Sequence, residues 1–394
     1  RGAAVRRVDD NERGVASGMP VRISSNFDGG AIAVVDAADP GSLEVALRAD
    51  SHADFRQWFH FRLQGARDTP VRIRFRDAGA ATYPEGWRGY RAVASYDRRD
   101  WFRVPTTFDG SELAIAHVPA RDSIYYAYFE PYSWERHMEL LGRADASPFA
   151  RVRDLGETVE GRDLNLVTVG TPAPGRKALW IIARQHPGET MAEWFIEGLL
   201  ARLLDEADPI GRALRRQATF HVVPNMNPDG SVLGNLRTNA AGANLNREWL
   251  EPTPERSPEV RAVRDAIHAT GCAAFFDIHG DENLPYVFVA GCEMLPNFGE
   301  RQRAEQDRFA ADFAGASPDF QTVHGYSPSK YKDDVLKLAS KYVGHAFGCL
   351  SLTLEMPFKD NANAPDARFG WSAARSQRLG AAMLDPVWRH LQRT

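Results

Sequence analysis

The stretch Ala178–Trp194, ALWIIARQHPGETMAEW, decides how the chain is expected to fold. It opens with six apolar residues, 178–183, which suit a buried strand in length and content. The polar turn QHPGE follows at 185–189, and apolar residues then recur up to Leu204 with the spacing of an amphipathic helix. His186 and Glu189 therefore lie where a predicted strand gives way to a helix. Ligands of open α/β sheets bind at the carboxyl ends of strands, so both residues are candidates for a functional site.

The chain downstream repeats this alternation of strand and helix. Apolar runs predict strands at 164–169, 178–183, 219–223, 274–278, 286–290 and 350–355. Amphipathic patterns predict helices at 192–204, 258–269, 301–313 and 371–391, and Ser133 can cap a helix that begins after it. The alternation predicts an α/β domain with a mixed sheet over residues 131–394.

The chain upstream has a different pattern, with short runs separated by turn signals such as Asp28-Gly29-Gly30. Strands are predicted at 21–26, 31–35, 43–48, 55–63, 71–75, 90–96, 101–104, 113–117 and 124–129. Many short strands without a long helix predict an antiparallel β-sandwich domain over residues 19–130. Residues 1–18 carry charges but no apolar core, so we expect a poorly ordered leader and not a secretion signal.

Composition excludes several function classes. The 394 residues carry a net charge of −4, which gives no electrostatic drive toward nucleic acid or membrane surfaces. No apolar run is long enough for a membrane span. The three cysteines are widely spaced and form neither a disulfide framework nor a cysteine zinc site. We therefore expect a cytoplasmic protein with no nucleic-acid or membrane partner, and the sequence leaves the oligomeric state open.

A metal site is predicted where strand ends converge. The run DIHG at 277–280 places His279 at the end of an apolar strand, as QHPGE does for His186 and Glu189. Strand ends meet at one edge of a parallel sheet, and three nitrogen and oxygen ligands that leave room for water make the open zinc site of a hydrolase. Glu355 ends another apolar strand and is a candidate general base. Each residue alone also fits a structural role, as a helix cap or a packed histidine.

Arginines occur in the loops that follow the strand at 219–223. Arg237 and Arg247 lie in stretches rich in glycine and asparagine, NPDG–GNLR and NLNREW. A guanidinium can donate two hydrogen bonds to one carboxylate, so either residue can hold an acidic substrate group. The alternative is a surface arginine in a polar turn.

Taken in order, these motifs resemble those of the carboxypeptidase A-type zinc metallocarboxypeptidases. The motifs are HPGE at 186–189, NPDG at 227–230, GNLR at 234–237, NREW at 246–249, DIHG at 277–280 and TLEM at 353–356. The cytosolic carboxypeptidase subfamily, which carries an N-terminal β-sandwich, is the most similar. Its front domain resembles NFDGG at 26–30, WFHFR at 58–62 and PYS at 131–133. The resemblance extends from Met19 to the C-terminus.

The resemblance implies a role for each matching residue. It implies one Zn²⁺ per chain, held by His186, Glu189 and His279. Glu355 is then the general acid/base. Arg237 polarises the scissile carbonyl and stabilises the oxyanion.

The resemblance also implies that Asn246 and Arg247 hold the C-terminal carboxylate of the substrate. The family usually has an aspartate two places before this asparagine, which supports the first zinc-binding histidine. Here the position is Asn244, so we expect weaker zinc binding than with an aspartate.

The substrate-capping tyrosine of the family cannot be assigned by motif. Tyr326, Tyr331 and Tyr342 all lie in the stretch 324–348, and Tyr342 or Tyr331 is the predicted residue. The same stretch carries four lysines, Lys330, Lys332, Lys337 and Lys341. Relatives in the subfamily often remove C-terminal glutamates, and a lysine at the base of the pocket would suit such a substrate by charge.

The sequence thus predicts a zinc-dependent metallocarboxypeptidase that removes the C-terminal residue of peptides or protein tails, with an acidic residue as the hypothesis. Two alternatives stay open. One is a zinc-dependent N-acyl amino acid amidohydrolase of the aspartoacylase type. The other is an inactive peptidase that serves as a peptide-binding module.

Overall fold

Two stacked β-sheets form the first part of the computed structural model, which describes residues 20–394. The predicted leader, 1–18, lies outside the described residues. The first sheet has the order β1 (Arg22–Ser24), β4 (His60–Gln64), β10 (Ser123–Ala127), β6 (Val93–Ser95) and β7 (Trp101–Arg103). The second has the order β2 (Ala33–Asp36), β3 (Leu43–Ala46), β5 (Val71–Phe75), β9 (Leu113–His117) and β8 (Thr106–Phe108).

Aromatic side chains fill the space between the two sheets. Phe61 of β4 and Phe75 of β5 belong to different sheets, and their ring centroids lie 6.3 Å apart. Phe59, just before β4, lies 4.8 Å from the Phe75 ring. All three side chains are fully buried. The apolar alternation seen in the sequence therefore supplies one face of a sandwich core, and the predicted sandwich is confirmed.

One strand pair of the sandwich departs from the antiparallel prediction. β3 and β5 pair in parallel, with Leu43 opposite Ile73. The reason is topological, because β4 lies in the other sheet and the chain returns beside β3 in the same direction. The short strand β8 was also not predicted. The sequence predicts one strand at 101–104, whereas the chain from 101 to 108 forms the two strands β7 and β8.

A seven-stranded mixed sheet forms the second part of the chain. Its order is β11 (Ala150–Glu157), β12 (Asp163–Val169), β14 (Ala218–Val223), β13 (Lys177–Ala183), β15 (Ala274–Asp281), β17 (Leu350–Pro357) and β16 (Phe288–Ala290). The four strands β14, β13, β15 and β17 are parallel, and antiparallel strands flank them. The predicted mixed α/β domain is confirmed, although β11 was missed.

Nine α-helices lie among the described residues. They are α1 (Trp134–Asp145), α2 (Met191–Leu203), α3 (Pro209–Gln217), α4 (Pro228–Leu233), α5 (Pro258–Thr270), α6 (Glu300–Ala316), α7 (Ala339–Phe347), α8 (Ala373–Ala382) and α9 (Leu384–Arg393). The helix predicted at 371–391 is thus two helices. Pro386 explains the break, because it lacks an N–H and its ring crowds the carbonyl four residues earlier. No helix within residues 20–394 is long and apolar enough to cross a membrane.

The two sheet systems share one continuous core. Tyr128, which follows β10, stacks on Phe358, which follows β17, with ring centroids 4.4 Å apart. Arg103 of β7 donates hydrogen bonds to the carbonyls of Phe358 and Trp371 at 2.8 and 2.9 Å. The sandwich is therefore fixed against the carboxyl-end edge of the parallel strands.

Candidate active site

The turn after β13 delivers the first two candidate ligands. Arg184 has a left-handed backbone, φ 58°, which is rare for a residue with a side chain. Its guanidinium holds the turn by donating to the carbonyl of Pro187 at 2.9 Å and to the buried carboxylate of Glu193 at 2.7 Å. The chain reverses at this point, and His186 and Glu189 are placed at the end of β13.

Three buried side chains converge at this edge of the sheet. The Nδ1 atom of His186 lies 2.7 Å from Oε1 of Glu189, and Nδ1 of His279 lies 2.7 Å from Oε2 of Glu189. One ligand atom from each residue lies within 4.8 Å of the others. The spacing suits a single ion held by two histidines and one carboxylate.

Each imidazole has a polar partner on the side that faces away from Glu189. Nε2 of His186 lies 3.0 Å from Oδ1 of Asn244, and Nε2 of His279 lies 2.9 Å from a carboxylate oxygen of Asp277. Both Nδ1 atoms therefore face Glu189, and both Nε2 atoms face the outer partners. Burial and the positive charge of Arg237 lower the pKa of His186 to about 3, so this imidazole is neutral at neutral pH. Burial acts in the same direction on His279, but the charges of Asp277 and Glu189 outweigh it and raise the pKa of His279 well above its usual value.

This arrangement fits a metal ion. The imidazole nitrogens and the carboxylate oxygens face one point, where they can share a proton or a metal ion. The ligand set of two imidazoles and one carboxylate is that of open catalytic zinc sites, and each histidine has the outer hydrogen bond typical of zinc ligands. The described residues contain one such group.

A chain of hydrogen bonds supports His279 from behind. Asp277 accepts a hydrogen bond from Nε2 of Gln185 at 2.8 Å, and Oε1 of Gln185 accepts one from the Trp249 indole at 2.8 Å. Asp277 was missed at the sequence level. A signal existed, because residues two apart on a strand share a face, so the aspartate of DIHG faces the same way as its histidine.

Glu355 lies beside His279 because their strands are neighbours in register. Its carboxylate lines the cleft and is 6% exposed, and Oε2 has no hydrogen-bond partner among the described residues. Burial raises the pKa of Glu355 to about 8. A buried carboxyl with a free oxygen next to a metal site can take up and return a proton.

The predicted polar residues of the loops line the same cleft. The Arg237 guanidinium lies 5.8 Å from the Phe55 ring and 5.6 Å from the Tyr83 ring, both of the sandwich domain. Within residues 20–394 it forms no side-chain hydrogen bond or ion pair, so its donors are free for a ligand.

Asn246 and Arg247 are the second and third residues of a short 3₁₀ turn, 245–247. Oδ1 of Asn246 accepts a hydrogen bond from the N–H of Ala339 at 2.9 Å, which fixes the amide. The Arg247 guanidinium donates to the Asn246 carbonyl at 2.7 Å and lies 5.1 Å from the Tyr331 ring.

The tyrosines divide into two groups. Tyr326 and Tyr331 line the cleft. Tyr342 does not, because its hydroxyl is 3.0 Å from Nε2 of His268 and its ring packs 6.3 Å from that of Trp249. The prediction that names Tyr342 is therefore corrected, since helix α7 turns this side chain away from the cleft and into the apolar cluster around Trp249. Tyr331 stays a prediction.

Two of the four lysines line the cleft, Lys330 and Lys341. The Lys341 side chain is 8% exposed and donates a hydrogen bond to the carbonyl of Gly291. No carboxylate of the described chain forms an ion pair with it. Lys337, in contrast, is exposed and pairs with Asp334 at 2.7 Å. Lys341 thus brings an uncompensated positive charge to the wall of the cleft.

Comparisons with known proteins agree with this site. The profile of the zinc carboxypeptidase family matches residues 136–388, and that of the cytosolic carboxypeptidase N-terminal domain matches residues 23–129. A metallo-carboxypeptidase from Burkholderia cenocepacia is 62% identical and has a TM-score of 0.93, with 95% of this chain and 100% of that chain covered. A metallo-carboxypeptidase from Pseudomonas aeruginosa, solved in complex with (2-guanidinoethylmercapto)succinic acid, is 44% identical with a TM-score of 0.90 and covers 94% and 100%.

More distant relatives include animal proteins. Cytosolic carboxypeptidase 6 of Mus musculus is 28% identical over 294 residues, which make up 67% of this chain and 54% of that protein. The family profile covers more than half of the chain, and the buried His-Glu-His group supplies the family's zinc ligands. The chain therefore belongs to the zinc carboxypeptidase family and is a zinc metallocarboxypeptidase that carries the N-terminal domain of the cytosolic carboxypeptidases.

Proposed function

We propose that this protein hydrolyses the last peptide bond of peptides or protein tails and releases an acidic residue, glutamate above all. The observation that carries the proposal is the unpaired Lys341 ammonium in the wall of a cleft that also holds the zinc ligands and Arg237. A buried charge without a partner is costly, and a substrate carboxylate would compensate it.

The residues of the cleft divide the chemistry of peptide hydrolysis among them. Bound zinc supplies Lewis-acid polarisation of water and of the scissile carbonyl. Glu355 accepts the proton of the attacking water and returns it to the leaving amine. Arg237 donates hydrogen bonds to the oxygen that becomes negative as the tetrahedral centre forms.

A second set of residues selects the chain end. Asn246 and Arg247 hold the terminal carboxylate, because a guanidinium can donate two parallel hydrogen bonds to it. Tyr331 lies against Arg247 and covers the bound residue. This set distinguishes a carboxypeptidase from an endopeptidase, which has no terminal carboxylate to recognise.

The relatives support this proposal. The ligand of the Pseudomonas aeruginosa protein is a substituted succinic acid that carries two carboxylates and a guanidino group, so it supports the recognition of a carboxylate and does not distinguish an acidic from a basic last residue. A cytoplasmic location is part of the proposal, which the three free cysteines and the name of the cytosolic relatives support.

The first experiment tests the reaction. Bound zinc is measured on the purified protein, and release of the last residue is followed for the wild type and for Glu355→Gln. We expect one zinc in both proteins and turnover only in the wild type. Hydrolysis of N-acetyl-aspartate without release from peptides would favour the amidohydrolase alternative, and peptide binding without any turnover would favour the inactive module.

The second experiment tests the acidic preference. Peptides that differ only in a last residue of Glu, Gln, Leu or Lys are compared with wild type, Lys341→Met and the exposed control Lys337→Met. We expect wild type and the control to prefer Glu over the isosteric Gln, and Lys341→Met to reduce the Glu/Gln ratio of kcat/KM about 10- to 100-fold, as for loss of a buried charge partner. Faster release of Leu or Lys than Glu by the wild type would refute the acidic preference.

A further inference from the structure

The loop that carries Arg237 is attached to a carboxylate of the other domain. Asp50 follows β3 in the sandwich and is 6% exposed. Its Oδ1 accepts a hydrogen bond from the N–H of Leu236 at 2.6 Å. Its Oδ2 accepts bonds from the N–H groups of Arg237 and Thr238 at 2.7 and 2.8 Å and from the Thr238 hydroxyl at 3.1 Å. Three successive backbone N–H groups around the arginine thus point at one side chain.

Neighbouring contacts hold the same two segments together. The N–H and hydroxyl of Ser51 both donate to Oδ1 of Asn235 at 3.2 Å. Gly242, at the far end of the loop, approaches the carbonyl of His52 so closely that an added Cβ would lie 2.4 Å from its oxygen. The loop is docked on the sandwich along its length, with Asp50 opposite the arginine.

The side chain of Arg237 is bounded by the sandwich as well. Phe55 and Tyr83 lie within 6 Å of its guanidinium, and Tyr83 lines the catalytic cleft. Both the backbone and the guanidinium of Arg237 are therefore oriented by residues of the N-terminal domain. The zinc ligands and Glu355, in contrast, belong to the C-terminal sheet and the turn after β13.

Loss of Asp50 would leave three buried N–H groups without an acceptor. The loop would then have to shift to satisfy them, because unpaired buried donors are costly. A shift of about 1 Å at a group that stabilises the transition state can lower the rate by about 100-fold. The chemistry therefore depends on a carboxylate that touches neither substrate nor metal.

We propose that Asp50 is a positioning residue for catalysis, through which the N-terminal β-sandwich holds Arg237 in register with the zinc site. The proposal rests on the proposed function of Arg237 in stabilising the oxyanion.

The test compares Asp50→Asn with Asp28→Asn in the full-length zinc enzyme. Asp28 also joins the two domains, because its Oδ2 accepts the N–H of Trp134 at 2.7 Å, but its partner is helix α1 and not the arginine loop. We expect Asp50→Asn to lower kcat at least tenfold with KM within about twofold and zinc content unchanged. Asp28→Asn should keep the wild-type kcat. An unchanged kcat in Asp50→Asn would overturn the proposal.

A double-mutant cycle with Arg237→Lys separates this role from a structural one. If Asp50 acts through Arg237, Asp50→Asn has little further effect on kcat in the Arg237→Lys enzyme, and the two single effects do not multiply. Full multiplication of the effects would overturn the proposal. If Arg237→Lys alone keeps the wild-type kcat, the proposed function of Arg237 is wrong, and this inference is overturned with it. If the Arg237→Lys enzyme has a lowered kcat but the Asp50→Asn enzyme keeps the wild-type kcat, only the proposed role of Asp50 is overturned.

A milder variant covers the case in which Asp50→Asn does not fold. Thr238→Val keeps the shape of the buried side chain and removes one of the four hydrogen bonds to Asp50. We expect kcat to fall about two- to fivefold with KM unchanged, and the fall to disappear in the Arg237→Lys background. No change in kcat, or the same fall in both backgrounds, would overturn the proposal.

Discussion

Replacing Asn244 by aspartate should strengthen zinc binding. Oδ1 of Asn244 lies 3.0 Å from Nε2 of His186 and is the outer partner of that ligand. The other histidine ligand, His279, already has a carboxylate partner, Asp277, at 2.9 Å. Asn244→Asp would give both histidines the same kind of support.

The size of the effect follows from the hydrogen bond. A neutral hydrogen bond contributes about 0.5–1.5 kcal/mol net, and a charged one about twice as much. The gain of about 0.5–1.5 kcal/mol corresponds to a zinc Kd about 2- to 12-fold lower. Asn244 is only partly buried, so a carboxylate at this position stays partly hydrated. The cost of desolvation therefore offsets little of the gain in zinc binding. Asp277→Asn is the matched reverse change, and we expect its Kd to rise about 10- to 100-fold.

The assay is a competition between the protein and a chromophoric chelator at fixed pH, together with the rate of zinc loss to excess chelator. Both readouts are independent of peptide hydrolysis. Equal zinc dissociation constants for wild type and Asn244→Asp, beside a weakened Asp277→Asn, would refute the reasoning for His186. They would show that Asn244 does not act as the outer partner of a zinc-bound imidazole.

Three further predictions address the tyrosines, the fold and its pH dependence. Tyr331→Phe should raise KM for peptide release several-fold. Tyr342→Phe should leave kcat and KM unchanged, because this residue lies outside the cleft. A larger effect from Tyr342→Phe than from Tyr331→Phe would contradict the assignment of Tyr331 to the substrate site. Gly198→Ala should lower the free energy of unfolding, measured by chemical denaturation, by about 2–3 kcal/mol. The added Cβ would lie 1.9 Å from the carbonyl oxygen of Gln377 on helix α8. This overpacking outweighs the gain in helix propensity. Burial raises the pKa of Glu259 from 4.5 to about 7, so the folded state binds the proton of this carboxyl more tightly than the unfolded state does. The stability of the protein therefore falls by about 3 kcal/mol as the pH rises through this range. In Glu259→Gln this loss should be absent, so the stability difference between variant and wild type should grow from pH 5 to 8; a constant difference would count against the buried carboxylate.

The chemistry of the site could be read from local sequence because of how parallel sheets are built. Apolar runs followed closely by His186, His279 or Glu355 predict strands, and the carboxyl ends of parallel strands share one edge of the sheet. The spacing of His186 and Glu189 adds a second ligand within one turn. These residues follow from patterns a few positions long, so they need no knowledge of distant contacts.

The division into a sandwich and an α/β domain follows from the same kind of pattern. Short windows of sequence show both patterns. Apolar residues at every second position between turn signals predict the sandwich, and apolar strands that alternate with amphipathic helices predict the α/β domain. The parallel pairing of β3 with β5 is not visible in this way. It depends on which sheet β4 joins, and that choice is made by packing between the sheets.

Only the tertiary structure decided what surrounds the reacting groups. Asp50 meets Leu236, 186 positions further along the chain, and no local pattern links the two. Tyr331 and Tyr342 lie in the same polar stretch, but the direction of helix α7 turns one away from the cleft. Lys341 lies on α7 and lines the cleft, whereas Lys337 lies in the turn before this helix and is exposed. Local sequence determined which groups can react here, and long-range packing determined their orientation, charge environment and access.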